Sequence, residues 1–271
     1  MSNKILYIVA SPIGNLEDMN QLGIRYLNEA DYIAVEDSRV SLKLLNHLKI
    51  NKKLLSYHKF NEDKASLKIV ELIKQGFKVA LLSDAGFPLI SDPGYNLVSR
   101  CLNEEIKIEI SGGANAALYA LIKSGFDTYH FLFYGFLNHK ETKAKKELEE
   151  LSKIPYTLIF YESVHRINNS LKLLYEVLGD RKVCVCKELS KLYEEVFHFN
   201  LSKHHEYNFT KGEYVIVVSK AEVKNDNTDD FTKQYNELLK LGLSKSMAVK
   251  ILVKLFNVKK KDLYLYSINE D

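Results

Sequence analysis

Cysteine is scarce: Cys101, Cys184 and Cys186 are the only three in 271 residues. They are too few and too unevenly spaced for a disulfide framework, which excludes the small stapled secreted scaffolds and fits a reducing cytoplasm. Cys184 and Cys186 alternate on one face of an expected strand and read as buried thiols, so no metal is expected there. Long apolar runs are missing as well. None approaches the ~20 residues of a membrane span, so no membrane partner is expected. The opening MSNKILYIVASPIG holds an apolar run of about seven residues that leads straight into a Pro-Gly turn, which reads as a first core strand rather than a signal peptide. There is no G-x-G-x-x-G, which argues against an ordinary dinucleotide site. An excess of one charge sign is absent too: 38 Lys and Arg stand against 35 Asp and Glu, a net charge of +3. Charge alone therefore does not point to nucleic acid. Local clusters do exist, at Lys140, Lys143, Lys145 and Lys146, and at Lys259, Lys260 and Lys261. Each reads first as a solvated helix face. No internal repeat or low-complexity tract stands out.

What is present is an ordinary folded composition, 46% hydrophobic and 27% charged. The length exceeds one average domain and predicts two domains with an appendage. Runs rich in β-branched and large apolar residues predict strands at 5–9, 32–35, 79–82, 106–110, 156–161, 183–186 and 214–219. Segments with helical spacing lie between most of them, for example Leu67, Val70, Leu72 and Ile73, or Leu171, Leu174, Val177 and Leu178. Alternating strands and helices predict α/β layers with largely parallel sheets. The expected division is an N-terminal α/β domain over 1–124 and a C-terminal α/β domain over 125–220. A polar stretch, AEVKNDNTDD, then reads as a linker to a small helical tail over 231–271. In that tail Phe231, Tyr235, Leu238 and Leu239 form one stripe and Ala248, Ile251, Leu252 and Leu255 another, with Gly242 ending the first helix and Ser244 capping the second. The tail is either a helix-turn-helix-like unit or a packing appendage.

Chemistry is expected where turns follow strands, because ligands of open α/β sheets bind beyond the carboxyl ends of strands. The first such turn is Ser11-Pro12-Ile13-Gly14-Asn15. The second, SDAGFPLISDPG over 83–94, packs two Asp, two Gly and two Pro into twelve positions, more punctuation than a plain connection needs. Backbone groups held by such a loop suit a ligand carrying an amino group, a carboxylate and a sulfonium; consecutive tight turns with Asp92 as a cap are the plainer alternative. The third turn, Ser111-Gly112-Gly113-Ala114-Asn115, opens a helix whose N-terminus a ligand can approach. Two further stretches offer polar groups: Glu36, Asp37 and Arg39 in AVEDSR, and His58, Asn61 and Glu62 in YHKFNED. Structural pairing of Glu36 with Arg39, and His58 packed at a turn, is the alternative.

Taken in order, LYIVASPIGNLED, AVEDSR, YHKFNED, LLSDAGFPLISDPGYNLV, FYGFL, LIFYESVHRI and KGEYVIVV carry a resemblance. The chain resembles the tetrapyrrole methylase superfamily, and within it the ribosomal RNA small-subunit methyltransferases that modify a ribose 2′-oxygen of a cytidine in the decoding region. It departs from that branch at Phe87, where Thr is usual, at Ser111-Gly112-Gly113, which replaces Pro-Gly-Pro, and at Asn138-His139, which replaces a Pro-containing pair. The missing prolines loosen the third loop.

The resemblance implies two α/β domains with S-adenosylmethionine in the cleft between them and no metal. The first domain would touch the cofactor through Ser11, Pro12, Asp84, Ala85, Gly86, Phe87, Pro88, Ser111, Gly112, Gly113, Ala114 and Asn115. From the second would come 133–136, with Phe133 and Gly135, then Tyr161, Glu162, Gly212 and Glu213. It further implies a cytoplasmic homodimer acting on 16S ribosomal RNA in the small subunit. Methyl transfer to a hydroxyl needs in-line approach, exclusion of water and a proton acceptor; Glu36, Asp37, Arg39, His58 and Glu62 are the catalytic candidates. Arg166, in FYESVHR, either binds phosphate or holds Glu162. Two rivals stay open: a tetrapyrrole carbon as acceptor, and a non-catalytic RNA-binding module on a dead cofactor fold.

Overall fold

Side chains of a strand alternate between faces, and in the first strand Tyr7 and Val9 point to one side while Leu6 and Ile8 point to the other. Both sides are apolar because both are covered by helices, the condition under which parallel sheets are found. In the computed structural model, which describes residues 4–221 and 231–256, that strand is β1 (Ile5–Val9). With it run β2 (Tyr32–Val35), β3 (Lys53–Ser56), β4 (Val79–Leu82) and β5 (Lys107–Ser111), all parallel, in the order β3-β2-β4-β1-β5. Helices α1 (Gln21–Glu29) and α2 (Ser38–His47) bury Tyr26, Leu27, Leu44 and Leu45 on one face; α3 (Glu62–Lys74) and α4 (Tyr95–Asn103) bury Ile69, Val70, Ile73 and Leu97 on the other.

The second sheet holds β6 (Phe131–Gly135), β7 (Thr157–Ser163), β8 (Lys182–Lys187), β9 (Glu195–Asn200) and β10 (Glu213–Val218), in the order β6-β7-β10-β8-β9. It corrects the expectation of largely parallel sheets: only β6 and β7 are parallel, while β10 pairs antiparallel with β7 and β8, and β8 with β9. Helices α6 (Glu141–Leu151) and α7 (Ile167–Leu178) cover one face. The other face receives α5 (Ala116–Ser124), whose Ala117, Ala120 and Leu121 pack with Ile159, Cys184, Cys186 and Val217. The helix that ends at the expected division of 124/125 thus packs with the second sheet. Cys184 and Cys186 share that buried face with sulfurs 3.7 Å apart.

Residues 222–271 form a unit of their own. Within it α8 (Thr232–Lys240) and α9 (Lys245–Phe256) bury Phe231, Tyr235, Ala248, Val249 and Leu252 together. Gly242, at φ +84°, donates to Leu239 O and stops α8, and the Met247 N–H donates to Ser244 Oγ at the start of α9, as the sequence predicts. Leu255, expected in the stripe, is instead exposed, and Val249 takes an inward place. Most of the expected linker and the Lys259–261 run lie outside the described residues. No helix among the described residues is long and apolar enough to cross a membrane.

Candidate active site

Parallel order brings the loops after β4, β1 and β5 to one rim, and they are tied to each other first. The Ser11 N–H donates to Gly86 O at 2.8 Å and the Gly86 N–H to Ser11 O at 3.0 Å. Ser11 Oγ donates to Ser83 O and Ser83 Oγ to Gly86 O. Backbone groups expected to face a ligand are therefore spent on the frame, and Gly86 supplies a wall rather than a donor. Gly113 is also a packing residue: a Cβ there would stand 2.4 Å from Ala10 Cβ. Gly112 is exposed, Ser111 ends β5 with a buried, unpartnered hydroxyl, and Asn115 caps α5 by accepting the Leu118 N–H at 3.0 Å.

Between this rim and the ends of β7 and β10 lies a cavity of about 370 Å³, within the range of small-molecule sites. Of the expected cofactor residues, Ala85, Gly86, Phe87, Asn115, Phe136, Tyr161, Glu162 and Glu213 line it. Ser11, Pro12, Asp84, Pro88, Ser111, Gly112, Gly113, Ala114, Phe133, Gly135 and Gly212 do not. Phe133 acts through Tyr161, its ring edge-on at 4.8 Å, and Gly135, at φ +83°, marks the bulge where β6 loses register with β7. Glu162 is buried, accepting from Ser170 Oγ at 2.6 Å and from the Ser163 N–H at 2.8 Å. Arg166 holds it at 3.7 Å and donates to the carbonyls of Leu137 and Asn138, so Arg166 is a framework residue rather than a phosphate ligand.

Two charged lining residues change the picture. Asp92 has no hydrogen-bond or ion-pair partner among the described residues; burial pushes its carboxyl up to about 7, with Glu36 and Asp84 adding repulsion. Lys191 reaches Glu213 at 2.8 Å and Glu188 at 3.0 Å; burial works to lower its pKa, and these carboxylates outweigh it. Sequence reading gave Asp92 only a capping role and missed Lys191, whose neighbours come from distant segments. The walls are also strained. Of six non-glycine residues with positive φ among the described residues, Leu89, Ser91, Glu188 and Ser190 sit in the two loops facing the cavity, where each costs on the order of 1–3 kcal/mol.

S-adenosylmethionine fits these walls. The unpaired Asp92 suits a cationic group, and Phe87, Phe136 and Tyr161 a flat heterocycle. Among the described residues no group of His, Cys, Asp and Glu could hold a metal ion.

A second cavity, about 700 Å³, opens on the same rim and is lined by Glu36, Asp37, Arg39, His58, Phe60 and Asp84 among others. The chain passes from one cavity to the other in the single step from Asp84 to Ala85. Arg39 pairs with Asp37, not with Glu36: Nη2 lies 2.5 Å and Nε 3.0 Å from the carboxylate, and this bond holds the Asp37 carboxyl down at about 2. Glu36 has no hydrogen-bond partner among the described residues and is raised by burial and by Asp84. Asp84, raised by burial, accepts the Asp37 N–H at 3.3 Å. His58 accepts the Phe60 N–H on Nδ1 at 3.3 Å. Glu62 is not in this cavity. Its Oε1 accepts from Tyr57 OH and from the N–H groups of Gly94 and Asn96, which caps α4.

The sequence profile of the Tetrapyrrole (Corrin/Porphyrin) Methylases matches residues 5–204. A protein of Halalkalibacterium halodurans named "Ribosomal RNA small subunit methyltransferase I" is 40% identical over 96% of this chain and 93% of its own length. One of the same name from Thermotoga maritima is 40% identical over 80% of this chain and 99% of its own length. Among solved structures, a diphthine synthase superposes with a TM-score of 0.65 at 16% identity, over 80% of this chain and 90% of its own. The chain therefore belongs to the tetrapyrrole methylase family, in the branch whose members carry the name ribosomal RNA small subunit methyltransferase I.

Proposed function

We propose that the chain transfers a methyl group from S-adenosylmethionine to the ribose 2′-oxygen of a cytidine in the decoding region of 16S ribosomal RNA, as a cytoplasmic homodimer acting on the small subunit. The relatives' names support the small-subunit RNA as acceptor. The observation that carries the mechanism is the pair of cavities sharing the 83–94 loop, one sized for a cofactor and one, beside it, rich in polar groups. When bound, the cofactor supplies an electrophilic methyl on a sulfonium. Asp92 orients its cationic groups, and Phe87, Phe136 and Tyr161 exclude water. In this reading Arg39, paired with Asp37 in the second cavity, meets a phosphate, and Glu36 or His58 accepts the hydroxyl proton; their shared lining of that cavity supports it. Glu62 acts in this reading only by placing α4. The exposed apolar residues Leu118, Ile122, Leu192 and Tyr193, joined by the Lys123–Glu194 ion pair, support pairing of two copies.

Labelled methyl incorporation into unmodified small ribosomal subunits, followed by digestion to nucleosides, tests this. A 2′-O-methylated cytidine is expected; label in a tetrapyrrole instead, or none in either, overturns it.

A further inference from the structure

A single exposed aromatic needs no partner by itself, but one that stands among cations at the mouth of a polar cavity offers a face on which a base can stack. Phe60 is 95% exposed at the mouth of the second cavity. Its turn is fixed: the His58 N–H donates to Asn61 Oδ1 at 2.8 Å, Asn61 Nδ2 donates to Ser56 O at 3.1 Å, and the Phe60 N–H donates to His58 Nδ1. The His58 ring braces the phenyl at 6.1 Å between centroids. A turn held this way presents the ring at a fixed place, so little backbone freedom is lost on binding.

Cations flank it. Arg39 lies in the same cavity, Lys59 precedes the ring, and Lys64 and Lys68, one helical turn apart on α3, line an adjacent hollow of about 270 Å³ that shares Ser56 with the cavity. Lys59, Lys64 and Lys68 are exposed and have no ion-pair partner among the described residues. An exposed aromatic face with cations in its own and the adjoining cavity is the arrangement that single-stranded nucleic acid takes, bases on the ring and phosphates on the cations. A paired base cannot offer its face, so the occupant is an unpaired nucleotide.

We propose, resting on the function given above, that Phe60 is the stacking platform for an unpaired base at or beside the methylated nucleotide, with Arg39, Lys59, Lys64 and Lys68 along the flanking phosphates. The chain has no tryptophan, so Phe60→Trp places a single reporter at the platform. Its emission should be quenched by a single-stranded cytidine oligoribonucleotide of about eight nucleotides, a length such grooves cover, and not by a blunt RNA duplex of equal length. Phe60→Ala and Phe60→Leu should lower kcat/KM for small subunits by about 5- to 100-fold, Phe60→Tyr should retain it, and cofactor affinity should be unchanged in all three. Emission unmoved while the labelled strand binds, or an undiminished kcat/KM in the Ala and Leu variants of an active enzyme, overturns the platform and leaves the function standing. Quenching without any methyl transfer by the wild type overturns the function and leaves the platform.

Discussion

Burial and two neighbouring carboxylates, Glu36 and Asp84, hold the Asp92 carboxyl at about 7, and this has a measurable sign. An unfolded aspartate titrates near ~3.9, so from about pH 4 to 7 the native state holds more protons than the unfolded chain, and this residue makes stability fall as pH rises through that window. Asp92→Asn should melt above the wild type at pH 8, the gap shrinking as pH falls through 7 and closing below about 4; a pH-independent difference would sink the argument. The paired glycines of the third loop give a second residue-level test. Gly113→Ala drives its Cβ to 2.4 Å from Ala10 Cβ, whereas Gly112→Ala meets only Asn20 Nδ2, at 3.7 Å. Denaturant unfolding should show a loss of about 1–3 kcal/mol for the first and under ~0.5 kcal/mol for the second. Equal losses would mean that the loop relaxes freely. Glu36, Asp37, Arg39 and His58 were legible in the sequence because residues after consecutive parallel strands must share a rim. Lys191 was not, since its place depends on the antiparallel return of β8 beside β10.

At the level of elements, α4 starts without a side-chain cap of its own. Its N-cap is Gly94, and the carboxylate of Glu62 at the head of α3 does that work. Glu62→Ala leaves two N–H groups short of an acceptor and the Tyr57 hydroxyl with Ser66 Oγ as its remaining partner, and should cost about 1–3 kcal/mol, while Glu62→Gln, which keeps a carbonyl oxygen, should cost less. Unchanged unfolding midpoints for Glu62→Ala would refute the capping role; a loss of turnover in a fully stable variant would return Glu62 to the chemistry. Strands with continuous apolar runs, such as Val79–Leu82 and Glu213–Val218, were readable because both faces are buried. Strands β3 and β9 were not: each is an edge, and Lys53, Ser56, Glu195, His198 and Asn200 interrupt the apolar pattern on both faces. Direction within the second sheet was equally hidden, since the period of two is the same for parallel and antiparallel strands.

For the whole molecule, residues 1–221 hold both sheets and both cavities, and the Thermotoga maritima relative is matched over 99% of its length by 80% of this chain. A chain ending at 221 should therefore unfold cooperatively and bind S-adenosylmethionine as the full chain does. We expect it to bind RNA more weakly and with a shallower salt dependence, because the tail carries Lys259, Lys260 and Lys261. An identical salt slope would assign the tail to packing instead. The left-handed backbone at Leu89, Ser91, Glu188 and Ser190 sets a limit on how such a protein can be improved. Selection for heat resistance alone would drift toward glycine or asparagine at these four positions, where relief of strain is cheapest. Each step would raise the melting temperature while loosening a wall of the cofactor cavity, so variants chosen by thermal screening should be counted for turnover before they are trusted.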